Sequence, residues 1–214
     1  MIARYLTYSA LFALSCAVFS SAQGAVYDEA DAGDFSNSGL SPTVLHLGLG
    51  SNFISGSTGS GAGPAGIDPD YFSITVPSRA VLSSLTVLPG TTVGGDVTFI
   101  GVQVGPQVTV SPDATDATGL LGWMHYGPGN VNRNILPRIG TGSEGATGFT
   151  GPLGPATYSF WVQDTAGGTV PYNYDLVLTA AVAVPEPTTL ATLTVGLVFL
   201  IAGLRITCVG NRRA

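Results

Sequence analysis

The 214-residue sequence contains no lysine. That excludes a P-loop, whose lysine must reach the nucleotide phosphates, and it excludes Schiff-base catalysis. There are two cysteines, Cys16 and Cys208, one near each end. The region between them therefore folds without disulfides and relies on its own core. The histidines are His46 and His125; both read as strand residues, one in an alternating run and one following Trp123 and Met124. No G-x-S-x-G elbow and no H-E-x-x-H pair is present, so neither a serine-hydrolase nor a zincin arrangement is available. The segment GAGPAG (Gly61 to Gly66) matches G-x-G-x-x-G literally, but it follows no apolar strand and carries Pro64. It reads as part of a flexible glycine-serine loop from Ser55 to Gly66, not as a dinucleotide site. Charged residues make up only 9% of the chain, and long helix-forming side chains are scarce.

What is abundant is glycine (30 residues), proline (14), threonine, valine and serine. That mixture favours short strands joined by tight turns. In DYFSITV, Phe72, Ile74 and Val76 alternate with Tyr71, Ser73 and Thr75. AVLSSLTVL, DVTFIGVQV, LLGWMHY, ATYSFWVQD and YNYDLVLTAAV follow, with Tyr158, Phe160 and Val162 on one face and Tyr174, Leu176 and Leu178 on another. Earlier strands fall near Thr43–Leu49 and Asn52–Ile54. Period-two alternation with one apolar face predicts an all-β fold, an antiparallel β-sandwich of jelly-roll type with eight or nine strands. No useful helical period occurs between residues 26 and 184. A domain spanning residues 26–183 is large enough to bury about two thirds of its unfolded surface.

The two ends read as addresses. Arg4 precedes an apolar run from Leu6 to Phe19 and then small residues through Ala25, the three-part pattern of a signal peptide over residues 1–25 with cleavage between Ala22 and Ala25. ALSC, ending at Cys16, is a poor lipobox because Ala13 stands where leucine is preferred. At the other end, Thr188 to Leu204 runs 17 residues without a charge. That is the lower limit for a transmembrane helix crossing a core of about 30 Å. Arg205, Arg212 and Arg213 follow, holding the end in the cytoplasm by the positive-inside rule. Immediately before the helix, VPEPTT places Pro185 and Pro187 around Glu186, which enforces an extended, rigid segment. Pro-Glu-Pro, apolar helix and arginine cluster, in that order over residues 184–214, resemble the PEP-CTERM sorting signal. The resemblance implies recognition and cleavage near the motif by a membrane-embedded exosortase. It implies a protein anchored in the inner membrane until processed, then released to the cell surface or beyond.

SPTVLHLGLGSNFISGSTG, DPDYFSITVP and YSFWVQDTAGGTVPYNYDLVLT resemble the bacterial pre-peptidase C-terminal (PPC-type) β-sandwich, over Asp34 to Thr179. The family is a non-catalytic accessory module, and some of its members bind calcium near the N-terminal segment of the domain. Independently, YDEADAGDFSNSG offers Asp28, Glu29, Asp31 and Asp34, and GIDPDYF offers Asp68 and Asp70. Calcium takes six to eight hard oxygens, which such carboxylates and loop carbonyls supply. The competing reading is a solvated acidic loop, with DPD forming an Asx turn.

With Arg79, Arg133 and Arg138 as its only cations, the exported region is more acidic than the net charge of −6 for the whole chain. Such a surface repels nucleic acid and anionic membranes. The expected function is non-enzymatic: a structural or matrix protein associated with exported polysaccharide. The alternative is a surface module binding carbohydrate, calcium or ice. No repeated T-x-T ladder favours ice; Trp123, Tyr126 and Trp161 are the candidates for an aromatic glycan platform, against the competing expectation that at least one tryptophan is a core residue.

Overall fold

The computed structural model describes residues 24–59, 67–94, 97–141, 145–164 and 166–181. The expected signal peptide as far as residue 23, the Gly61–Gly66 stretch and the tail carrying Pro185, Glu186, Pro187, Arg205, Arg212 and Arg213 lie outside these residues. So does the expected transmembrane helix; among the described residues no helix is long and apolar enough to cross a membrane.

Among the described residues, nine strands form two sheets. The first contains β1 (Val26–Asp28), β3 (Gly50–Thr58), β9 (Val170–Ala180) and β5 (Ala80–Val87), in the order β1-β3-β9-β5. The second contains β2 (Thr43–Leu45), β4 (Asp70–Val76), β8 (Ala156–Gln163), β6 (Thr98–Val104) and β7 (Gly122–Tyr126), in the order β2-β4-β8-β6-β7. Two short helices complete the fold, α1 (Glu29–Ala32) and α2 (Leu136–Gly140), with a 3-10 turn at Pro128–Asn130. The all-β sandwich expected from the alternation is present.

Its strands are not uniformly antiparallel. β1 runs parallel to β3, and β2 runs parallel to β4. Both are three-residue edge strands contributed by the N-terminal arm as it passes each sheet, and they cap edges that would otherwise expose unpaired backbone. The strand expected over Thr43–Leu49 ends at Leu45, so His46 lies just beyond it and is exposed. The strand expected at Asn52–Ile54 is longer, and Ser55–Thr58 belong to β3 instead of a flexible loop. Pairing with Asn173–Val170 of β9 overrides the weak strand propensity of glycine and serine there.

The core lies between the sheets. Phe72 pairs with Phe160 across β4 and β8, their rings stacked at 5.2 Å. Ile74, Val76, Tyr158 and Val162 share that face, opposed by Ile54, Tyr172, Tyr174, Leu176 and Leu178 of the other sheet. Full burial of each large apolar side chain contributes roughly 1.5–3 kcal/mol. In β5 a bulge between Leu82 and Ser84 resets the alternation, so Ala80 and Leu82 point inward before it and Leu85 and Val87 after it. The extra residue, Ser83, donates its hydroxyl to Val177 O at 3.0 Å.

Buried polar groups are mostly satisfied. Asn52 Oδ1 accepts from Ala25 N (2.9 Å) and Gly48 N (2.8 Å), while its Nδ2 donates to carbonyls of Gly48, Gly50 and Leu176. Asp164 accepts from Thr98 Oγ1 (2.7 Å), Gly94 N (3.0 Å) and Ala166 N (2.8 Å). The first of these networks ties the arm to the body of the domain.

Candidate functional site

The arm leaves β1 at Asp28, whose Oδ1 accepts from Ala30 N at 3.0 Å and caps α1. This single turn of helix swings Glu29 onto β3. Glu29 Oε2 accepts from Ser57 N (2.6 Å) and Ser57 Oγ (3.1 Å), and Oε1 accepts from Phe35 N (3.2 Å). Gly33, at φ +95°, ends the helix in a conformation suited to glycine, and its N–H returns to Glu29 O at 2.9 Å. The reversal brings Asp34 back beside Glu29. Phe35 then plugs into the core against Tyr27 (4.5 Å), Phe72 (5.5 Å) and Tyr172 (6.4 Å). Asp70, the first residue of β4, lies two positions before Phe72 and so points to the same interior face.

The result is a convergence of three acids. Glu29, Asp34 and Asp70 each present a carboxylate oxygen, all within 4.8 Å of one another. Of the six acidic residues singled out from the sequence, these three meet. Asp68 adjoins them, half-buried, and Asp34 acts on it electrostatically. Asp28 is occupied as a helix cap, and Asp31 is exposed outside the cluster.

Asp70 is the anomaly. Its residue exposure is 0%, yet no hydrogen bond of regular geometry reaches either carboxylate oxygen, and the Tyr172 hydroxyl is the one group placed to donate to it. That hydroxyl and Thr58 Oγ1 are likewise buried with no hydrogen bond of regular geometry. Gly56 leaves room for that hydroxyl, because a Cβ there would collide with it and with the Phe35 ring. Strand alternation puts Gly56 and Thr58 on one face of β3, with Gly56 opposite Tyr172. Polar atoms without regular hydrogen bonds therefore gather around one corner, unlike the satisfied networks of Asn52 and Asp164. Each uncompensated buried group costs about 1–3 kcal/mol, more if charged.

The electrostatics agree with the geometry. Burial pushes the Asp70 carboxyl up to about 9 against the lowering effect of the Tyr172 hydroxyl, and the charges acting on it, Glu29, Asp68 and Asp34, are all acidic. Glu29 is pushed up to about 7, first by burial and next by a hydrogen bond with Asp34, against the N–H donors of Phe35 and Ser57. Two carboxyl groups that share a hydrogen bond must hold a proton between them. Either protons or a cation can neutralise this cluster. Carboxylate oxygens without nitrogen or sulfur ligands suit a hard ion such as calcium or magnesium.

The aromatic residues expected to form a platform divide between the two faces of the second sheet. Tyr126 is turned inward, 1% exposed, and its hydroxyl lies 2.6 Å from that of Tyr174 between the sheets. The alternation of β7 requires this: Met124 and Tyr126 face the core, while Trp123 and His125 face outward. Trp161 also lies on the outer face, stacked on Tyr71 at 5.7 Å beneath the folded-back loop that carries Val108, Ala117 and Leu120.

No protein-family model matches the sequence, and no match was found among curated proteins or among solved structures. Ser57, Thr58 and Tyr172 escaped sequence reasoning. Two of them sit in a glycine-serine tract, and the third reaches the site only through the pairing of β3 with β9.

Proposed function

We propose that this chain is a non-enzymatic module of the cell envelope whose N-terminal arm is fixed to a β-sandwich by a calcium ion. The observation carrying the reading is the fully buried Asp70 carboxylate, which faces Glu29 and Asp34 with no donor but the Tyr172 hydroxyl beside it. Glu29, Asp34 and Asp70 would hold the ion, and it would supply the positive charge that no nearby side chain provides. Bound there, calcium joins the arm (Glu29, Asp34) to β4 (Asp70) and exchanges protons for a permanent cross-link.

The remaining parts of the reading rest on the sequence. The PEP-CTERM-like tail makes the chain an exosortase substrate, exported, held in the inner membrane by its C-terminal helix and then released to the surface. There it serves as a structural or matrix protein associated with exported polysaccharide. The jelly-roll reading is supported by the way consecutive strands change sheets, from β3 to β4 to β5 to β6, and by β9 lying between β3 and β5 while β8 lies between β4 and β6.

The test is thermal unfolding of the purified full chain in chelator and in calcium. A ligand at 100 times its Kd stabilises by about 2.7 kcal/mol, which raises Tm by roughly 5–10 °C for a domain of this size. An unchanged Tm at millimolar calcium removes the cation from the account, and the acids are then a protonated cluster.

A further inference from the structure

We infer that the outer face of the second sheet carries a binding cleft for a neutral polysaccharide, built on Phe99, Trp123, His125, Trp161 and Gln163. The inference deepens the matrix reading by naming a ligand class and a site, and it takes the extracellular setting from that reading. It does not depend on the calcium site, which lies at the arm.

Three adjacent strands place these side chains in two rows. Phe99 of β6 stands between His125 of β7 and Gln163 of β8, and Gly101 stands between Trp123 and Trp161 in the same way. Gly101 makes room for the Phe99 ring and Leu120, which lie over it between the two indoles, since a Cβ there would press on both. Phe99 is in ring contact with both, at 4.6 Å from Trp161 and 5.8 Å from Trp123, and His125 stands edge-on to Trp123 at 5.3 Å. Across these rings the folded-back loop forms the other wall, enclosing an open cleft of about 420 Å³. The loop covers Trp161 but leaves Trp123 half-exposed and His125 exposed.

A pyranose has an apolar C–H face, which stacks on aromatic rings, and equatorial hydroxyls, which need donors and acceptors at the rim. The cleft offers both. Trp161 Nε1 donates to Gln163 Oε1 at 3.0 Å, which orients the Gln163 amide with its NH₂ as donor. Asp116 accepts from Thr118 N at 2.8 Å, and that hydrogen bond holds its carboxyl below the usual range, an ionised acceptor. The polymer should be neutral, because neither arginine nor lysine is among the described lining residues and the rim carries a carboxylate. The site should bind and not cut. Glycoside hydrolysis by the common route needs two flanking carboxyl groups, and among the described lining residues Asp116 is the only one.

Affinity gel electrophoresis of the purified full chain, in detergent, tests this with hydroxyethyl cellulose, xyloglucan, β-1,3-glucan and galactomannan in the gel and alginate as the anionic control. At least one neutral polymer should retard the protein. Trp123→Ala should weaken that retardation by about tenfold or more, as loss of a central aromatic anchor does. His125→Ala, at an exposed position, gives a second variant that leaves the core intact. Folding of each variant is checked by Tm. Retardation by none of the neutral polymers, retardation by alginate alone, or retardation that survives both substitutions in folded protein would overturn the inference. Fractionation of the producing cell separately tests export, so failure of the cleft and failure of the matrix reading are distinguishable.

Discussion

Ser57 grips Glu29 twice, with its backbone N–H at 2.6 Å and its hydroxyl at 3.1 Å on the same carboxylate oxygen. The pair fastens a one-turn helix of the arm to β3 and fixes where Glu29 can reach. Together with the Gly33 reversal, it determines that Asp34 and Asp70 converge on Glu29.

Asp70→Asn should therefore separate two effects. It replaces a buried acid by a neutral isostere, so the metal-free protein should keep its Tm or gain a few degrees. The same change removes a ligand, so the response to calcium should vanish. Paired melting curves in chelator and in calcium check this. A variant that melts lower in chelator yet responds normally to calcium would show that Asp70 serves packing alone.

The second prediction concerns pH. Burial raises Glu29 from 4.5 to about 7 and Asp70 from 3.8 to about 9, in a cluster that also contains Asp34, Asp68, Tyr27 and Tyr172. Both acids hold protons more tightly when folded, so the folded state binds more protons than the unfolded one. That contribution to metal-free stability is complete below about pH 4 and is lost as pH rises through about 7 for Glu29 and about 9 for Asp70. Calcium competes with the same protons, so its affinity should increase over that range. Calcium titrations at pH 6 and pH 8 check the direction; equal affinities would contradict it.

For the core, Phe160 is fully buried against Phe72. Phe160→Ala should cost about 3–5 kcal/mol, enough to unfold many domains of this size, read as a lowered urea midpoint. An unchanged midpoint would contradict the sandwich packing.

At the ends, Ala25 already belongs to the domain. Its N–H donates to Asn52 Oδ1, and its carbonyl accepts from Phe53 N at 2.9 Å. Cleavage after Ala22 preserves both bonds, so N-terminal sequencing of the exported protein should begin at Gln23. At the other end, Pro185→Ala with Pro187→Ala should block trimming and leave the anchored form to accumulate. Replacing Arg205, Arg212 and Arg213 should impair retention or recognition with the motif intact. Mass spectrometry reads both, and a mature native protein that keeps residues through Ala214 beside an active sorting enzyme would contradict the processing.

Much of this fold was legible because alternation survives wherever one strand face is dry, as in Phe72-Ile74-Val76 and Tyr158-Phe160-Val162. In β5 strict alternation would have turned Leu82 and Leu85 to opposite faces; only the bulge at Ser83 reconciles them, and no local residue pattern announces it. The parallel pairings of β1 and β2 were hidden because three-residue strands carry too little pattern to set a direction. Tyr126 was misplaced as a surface aromatic because composition does not say which face of β7 is covered, whereas its neighbour Met124 did. The acids were visible as a group. Which three meet depends on α1, a single turn set by the Asp28 cap, and on β4 starting at Asp70. No periodicity encodes either boundary.

Isothermal titration of calcium into chelator-treated full chain, in buffers of differing ionisation enthalpy, tests the central claim most directly. The account predicts one ion per chain, protons released on binding, and no binding heat for Asp70→Asn. Absence of binding at millimolar calcium, or an Asp70→Asn protein that binds as the native one does, would contradict it.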